Sequence, residues 1–228
     1  MKSLIARLKK SNLLKDTMIY AVSDGINKAI PFLILPVIVR FLTTEDYGII
    51  TNFMVLVQII TIFAYGAAQG SIPVNFFKLD KADFQGYVAS IISICLVVLF
   101  FFGLLFLIFG DFLTEWLGFG NTYLYLAILE IIFGAFTCIN MLLWRCEEKP
   151  IKFGIFQISQ TVVNVSITLW FVVSLKWAWE GKILANLISI CLMGVINVII
   201  LYKRGFYKFN INFKHAAAVL AFAPERIL

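Results

Sequence analysis

Asp24 and Lys28 stand four residues apart in a stretch that is otherwise largely apolar from Thr17 to Phe41. At that spacing they share one helix face and are able to pair. Pairing lowers the cost of burying either charge, about 2.5–3.5 kcal/mol each at a bilayer centre on insertion scales. Tyr20, Asn27 and Pro31 belong to the same stripe, and Pro36 follows within two turns. Prolines at these positions free backbone carbonyls and permit a bend where neighbouring helices or water satisfy the freed groups. Two readings follow: the pair neutralises itself and holds a bundle together, or the helix lines a wet cavity. Glu130 is another acid in an apolar run, with Gly134 and Thr137 on its face and no basic residue within a turn. It must find a partner on another helix, reach water or stay protonated, and by chemistry Lys28 is the nearest candidate. Gln157, Gln160, Asn164 and Thr168 fall at offsets of three, seven and eleven, which places them on one helix face. Asn186, Ser189, Met193 and Asn197 repeat those offsets, and Gln58, Tyr65 and Gln69 form a similar stripe. Interhelical amide hydrogen bonds, worth about 0.6 kcal/mol each on average, explain part of this pattern. Polar stripes on most of the apolar segments favour a shared hydrophilic interior.

The elements that must carry these residues follow from composition. The chain is 61% hydrophobic and 14% charged, too apolar for a soluble core, so its solvent is lipid. The apolar segments are continuous, without the period-2 alternation of a transmembrane barrel. Six helices are expected, at about 17–41, 48–70, 86–109, 123–144, 153–175 and 182–202. The fold class is therefore an all-α integral membrane protein, a six-helix bundle. The third helix is rich in Leu, Phe and Val past Ser93 and belongs at the periphery. The basic leader before the first helix resembles a secretory signal, but its apolar run is too long and no A-x-A site follows. Residues 1–16 are read as a cytoplasmic leader, 17–202 as the transmembrane lobe, and 203–228 as a basic cytoplasmic segment with the truncated start of a second lobe.

Orientation follows from the basic residues. Fourteen Lys and Arg fall in the leader and alternate loops, against three, Arg40, Lys176 and Lys182, in the opposite set. Such a bias places both ends of the lobe in the cytoplasm. Trp116, Trp144, Trp170, Trp177 and Trp179 fall near helix ends, where amphipathic rings sit at headgroup level.

Several chemistries are disfavoured. The net charge of +6 is accounted for by the positive-inside pattern, and no nucleic-acid partner is expected. Cys95, Cys138, Cys146 and Cys191 form no C-x-x-C pair, and the only histidine is His215; neither a disulfide framework, a zinc site nor a Ser-His-Asp triad is indicated. No phosphate-binding loop, nucleotide fingerprint or H-E-x-x-H occurs. A transporter without a cofactor is expected, rather than an enzyme.

The run Thr17-Met-Ile-Tyr, then Asn27-Lys28-Ala-Ile-Pro31-Phe-Leu-Ile-Leu-Pro36-Val-Ile-Val-Arg40-Phe-Leu-Thr-Thr-Glu45-Asp46-Tyr47-Gly48, resembles the opening of polysaccharide biosynthesis proteins of the O-antigen flippase type. That superfamily also includes MATE drug exporters and the lipid II flippase. The loop from Arg145 to Pro150 is similar to the cytoplasmic loop of the same family.

The resemblance implies a two-lobed transporter in the bacterial inner membrane. It would carry an undecaprenyl-diphosphate-linked oligosaccharide from the cytoplasmic to the periplasmic leaflet by alternating access. It implies a lipid-linked substrate, contact with membrane lipids, a second lobe or a homodimer, and polysaccharide polymerase or assembly proteins as partners. In that picture Lys28 attracts the diphosphate, and Arg40 does so nearer the exit or anchors the helix at the interface. Asn27, Gln157, Gln160 and Asn164 bond sugar hydroxyls, and Asp24 or Glu130 carries a coupling proton. The rival readings are a MATE-type exporter of small cations and a membrane scaffold of a glycan-assembly complex.

Overall fold

The structure is a computed structural model that describes residues 2–206, with side chains from Leu14 onward. His215 and the expected start of a second lobe lie outside the described residues. Among the described residues there is no strand, and six helices are long and apolar enough to cross a membrane. They are α1 (Lys2–Ile38), α2 (Thr44–Phe76), α3 (Lys81–Leu117), α4 (Asn121–Cys146), α5 (Pro150–Leu169, continued by a π turn over Trp170–Ser174) and α6 (Ala178–Lys203). The 37 residues of α1 and of α3 correspond to about 55 Å of helix against a hydrocarbon core of about 30 Å. Both therefore project past the membrane.

The helix ends have local causes. Thr43 caps α2 reciprocally with Asp46: its hydroxyl accepts from the Asp46 amide, and its own amide donates to Asp46 Oδ2 at 2.7 Å. Part of the diagnostic opening pattern is thus a helix cap. Gly118 closes α3 at φ +81, with its amide donating to the Thr114 carbonyl. Asn121 donates to Asp111 Oδ1 at 2.7 Å, tying the start of α4 to the last turns of α3.

The helices pack as a chain of neighbours. α4 lies at the centre, against α2, α3 and α6; α5 bridges α6 to α1; and α1 docks on α5 with no comparable contact elsewhere. One apolar cluster joins α2, α3 and α4 through residues such as Phe53, Ile60, Leu99, Leu124 and Ile131. A second, built on Ile72, Tyr87, Val88, Ile139, Leu143 and Leu201, fills the other end. α3 is peripheral, as expected: Val97, Phe100, Leu107, Ile108 and Phe112 on its outer face are exposed, a surface suited to lipid. Trp144 departs from the headgroup expectation. It is buried against Phe156, because α5 and α6 close over the end of α4.

The backbone adds two observations on helix shape. α1 runs helically through both Pro31 and Pro36 to Ile38. The non-helical residue inside a span is Tyr65 of α2, at φ −148, directly before Gly66. A Cβ built on Gly134 would lie 3.2 Å from the Tyr65 hydroxyl, so the kinked turn lays this ring on a bare patch of α4.

Candidate functional site

The polar stripes are mostly turned toward other helices. On α5, Gln157 Nε2 donates to Asp24 Oδ1 of α1 at 2.9 Å, and the Thr161 hydroxyl donates to Asn27 Oδ1 one turn later. Asp24 is therefore held by an amide and not by Lys28; no ion pair joins those two among the described residues. The parallel docking of α1 on α5 explains this, since it turns Asp24 and Asn27 toward α5 and leaves Lys28 exposed.

A second polar seam runs along α4, α5 and α6. Near the end of the bundle where α6 begins, Lys182 Nζ lies 3.4 Å from Thr168 Oγ1. Asn164 Nδ2 donates to Asn186 Oδ1 at 2.9 Å, and Asn186 Nδ2 donates to Glu130 Oε1 at 2.8 Å. Glu130 is 6% exposed, and its Oε2 meets no donor among the described residues. The hydroxyl of Ser189 donates to the Gln160 carbonyl at 3.3 Å. Toward the other end, Asn197 donates to Thr137 at 3.0 Å and accepts from Asn140 at 2.6 Å. Asn140 accepts in turn from Arg204, which also pairs with Glu147. Burial pushes the Arg204 guanidinium down from its ordinary value, but so strong a base keeps its charge.

Each expected site residue now has a place. Asp24, Asn27, Gln157, Asn164 and Glu130 are engaged across helix interfaces, and Gln160 contributes its carbonyl to one. Glu130 and Lys28 are not brought together. Lys28 and Arg40 are exposed and make no hydrogen bond or ion pair among the described residues. Gln58 and Gln69 of α2 are also exposed. Sequence reasoning missed Asn140 and Arg204 and took Lys182 for an interfacial charge. Asn140 continues the Glu130, Gly134, Thr137 stripe by one more step of three, and Lys182 precedes Asn186 by four, so the spacing held both signals.

The model of the polysaccharide biosynthesis protein family matches residues 13–223. The chain belongs to that family. Two proteins from Haemophilus influenzae are similar to it. A protein described as an uncharacterized membrane protein is 26% identical over 194 residues, covering 85% of this chain and 46% of its own. The Lsg locus putative protein 1 is 25% identical over 210 residues, covering 90% and 49%. The family member described here thus spans about half the length of the curated relatives it matches. Among solved structures, a MATE protein crystallised in complex with MaD3S superposes with a TM-score of 0.68 at 16% identity, over 92% of this chain and 52% of that one. This polysaccharide biosynthesis family member therefore shares the fold of that MATE protein over about half of its length, with six helices long and apolar enough to cross a membrane among the described residues.

Proposed function

We propose that this protein is the lobe of a flippase that carries a lipid-linked oligosaccharide, its sugar joined to undecaprenyl through a diphosphate, from the cytoplasmic to the periplasmic leaflet. The observation that carries the reading is Lys28. It is a cation midway along a membrane-spanning helix, exposed and free of an acidic partner among the described residues, on the helix that docks chiefly on α5. Burying an unpaired charge in hydrocarbon is costly, so an exposed lysine at this depth belongs against water or an anion. A diphosphate headgroup supplies that anion, and rocking of one lobe against another would move it across the membrane. Arg40, in the turn just past the far end of that helix, would receive the headgroup on release. Gln58 and Gln69 of α2 are exposed amides available to sugar hydroxyls.

A second reading has its own support. Asp24 and Glu130 are both held by amides and not by cations, which suits a small-cation exporter or a proton-coupled carrier. The deciding experiment is complementation of a strain that lacks its O-unit flippase, with the 228-residue chain and with a version extended by a second lobe. Restored surface glycan that is lost in Lys28→Ala supports the flippase. No restoration by either expressed form, with resistance to a cationic dye gained instead, would replace it by the exporter.

A further inference from the structure

The end of the bundle where α2, α4 and α6 finish holds a cavity of about 550 Å³ that the transport reading does not use. Three cations, Lys81, Lys203 and Arg204, line it with a single acid, Glu147. Arg204 is fixed there by Glu147 and by Asn140 Oδ1 at 3.2 Å, bonds that occupy two of its five N–H donors. Its guanidinium also lies 5.1 Å from the centre of the Phe206 ring. Phe206 in turn packs edge-on against Phe84, with centroids 6.0 Å apart, and both rings line the cavity. A positioned guanidinium, two exposed lysines and an apolar wall together match a phosphate group attached to a greasy body.

We infer that this cavity binds the phosphate of an anionic group at headgroup level, with Lys81, Lys203 and Arg204 as its cationic contacts. The site lies at the end of the helices opposite Arg40 and Lys182, and it stands whether or not the substrate proposed above is correct. Two sources supply the chemistry: an anionic phospholipid of the surrounding leaflet, or a soluble phosphate.

The test uses the protein in nanodiscs and three forms of it: the natural chain, Lys81→Gln/Lys203→Gln, and Lys15→Gln/Lys152→Gln. The last pair removes the same charge at the same end, outside the cavity. Arg204 is left in place because it also donates to Asn140 in the buried polar seam. Native mass spectrometry counts retained phosphatidylglycerol, and thermal unfolding in neutral phosphatidylcholine discs reports binding of inorganic diphosphate. Retention should weaken by about fivefold for each cavity lysine removed and remain near the natural level in the control pair. Selective loss of phosphatidylglycerol supports a phospholipid ligand. A diphosphate-induced rise in unfolding temperature that only the cavity variant loses supports a soluble one. Equal weakening in both variants, or no change in either assay, overturns the inference.

Discussion

Asn197 joins two helices through both ends of its amide, donating to Thr137 and to the Met193 carbonyl while accepting from Asn140. Asn197→Leu leaves the Asn140 amide nitrogen without its acceptor and takes a donor from Thr137, so a loss of about 1–2 kcal/mol is expected, near the upper end for polar contacts in membranes. Thermal unfolding in detergent would register it, and an unchanged midpoint would mean that the seam contributes nothing to packing. Glu130 separates charge from shape. Glu130→Gln keeps an acceptor for Asn186 and should hold or raise the unfolding temperature, whereas Asn186→Leu leaves the buried carboxyl without its donor and should lower it. A lowered temperature for Glu130→Gln would show that the carboxylate itself is needed. Lys28→Ala, by contrast, breaks no contact and should leave the midpoint unchanged while export falls. The polar residues themselves were legible in the sequence because lipid makes each of them conspicuous. Their partners were not, because a stripe shows which residues share a face and not which helix that face meets; Asp24 therefore suggested Lys28 when its donor lies 133 residues away on α5.

At the scale of the helix, length and hydropathy were sufficient to place all six spans, since about 20 apolar residues have few alternatives in this composition. What stayed hidden was the docking. Gly66 and Gly70 have the four-residue spacing of a small-residue packing pair, yet a Cβ on Gly66 would touch only its own helix. The close approaches are at Gly194, where a Cβ would lie 2.5 Å from Phe133 Cβ, and at Gly154, where it would meet the Ser23 hydroxyl. These glycines seat α6 on α4 and α5 on α1. Gly194→Ala should therefore cost about 1–3 kcal/mol by forcing the helices apart, and the same change at Gly48, where nothing lies within 4 Å, should cost far less. Comparing the two variants by unfolding in detergent checks the assignment of the tight interface; similar losses would refute it. No contact in the structure explains why glycine stands at position 48. Thr43 is clearer, since Thr43→Ala removes the cap of α2 and should lower stability by about 1 kcal/mol.

Across the whole molecule, the placement of Lys182 sharpens the asymmetry on which orientation depends. Its amine reaches toward Thr168 between α5 and α6, so at that end of the bundle the surface cations are Arg40 and Lys176, beside the exposed acids Glu45, Asp111, Glu115 and Glu180. Among the residues with described side chains, the other end carries Lys15, Lys78, Lys81, Arg145, Lys149, Lys152, Lys203 and Arg204. The positive-inside rule counts Lys and Arg near the helix ends and gives acids little weight, so moving one lysine into the bundle strengthens the bias. The expected arrangement has Lys152 in the cytoplasm and Glu180 outside. Cys95 is buried and Cys138, Cys146 and Cys191 are half-buried, so a cysteine-free background can be made without altering a reactive surface. In that background Glu180→Cys should react with a membrane-impermeant maleimide in intact spheroplasts, and Lys152→Cys only after permeabilisation. The opposite pattern would put the basic cavity of Lys81 and Lys203 outside and make the direction of transport proposed for Lys28 and Arg40 untenable. Labelling of both positions in intact cells would mean that the chain inserts both ways, so that the lysines and arginines at the basic end do not fix its orientation.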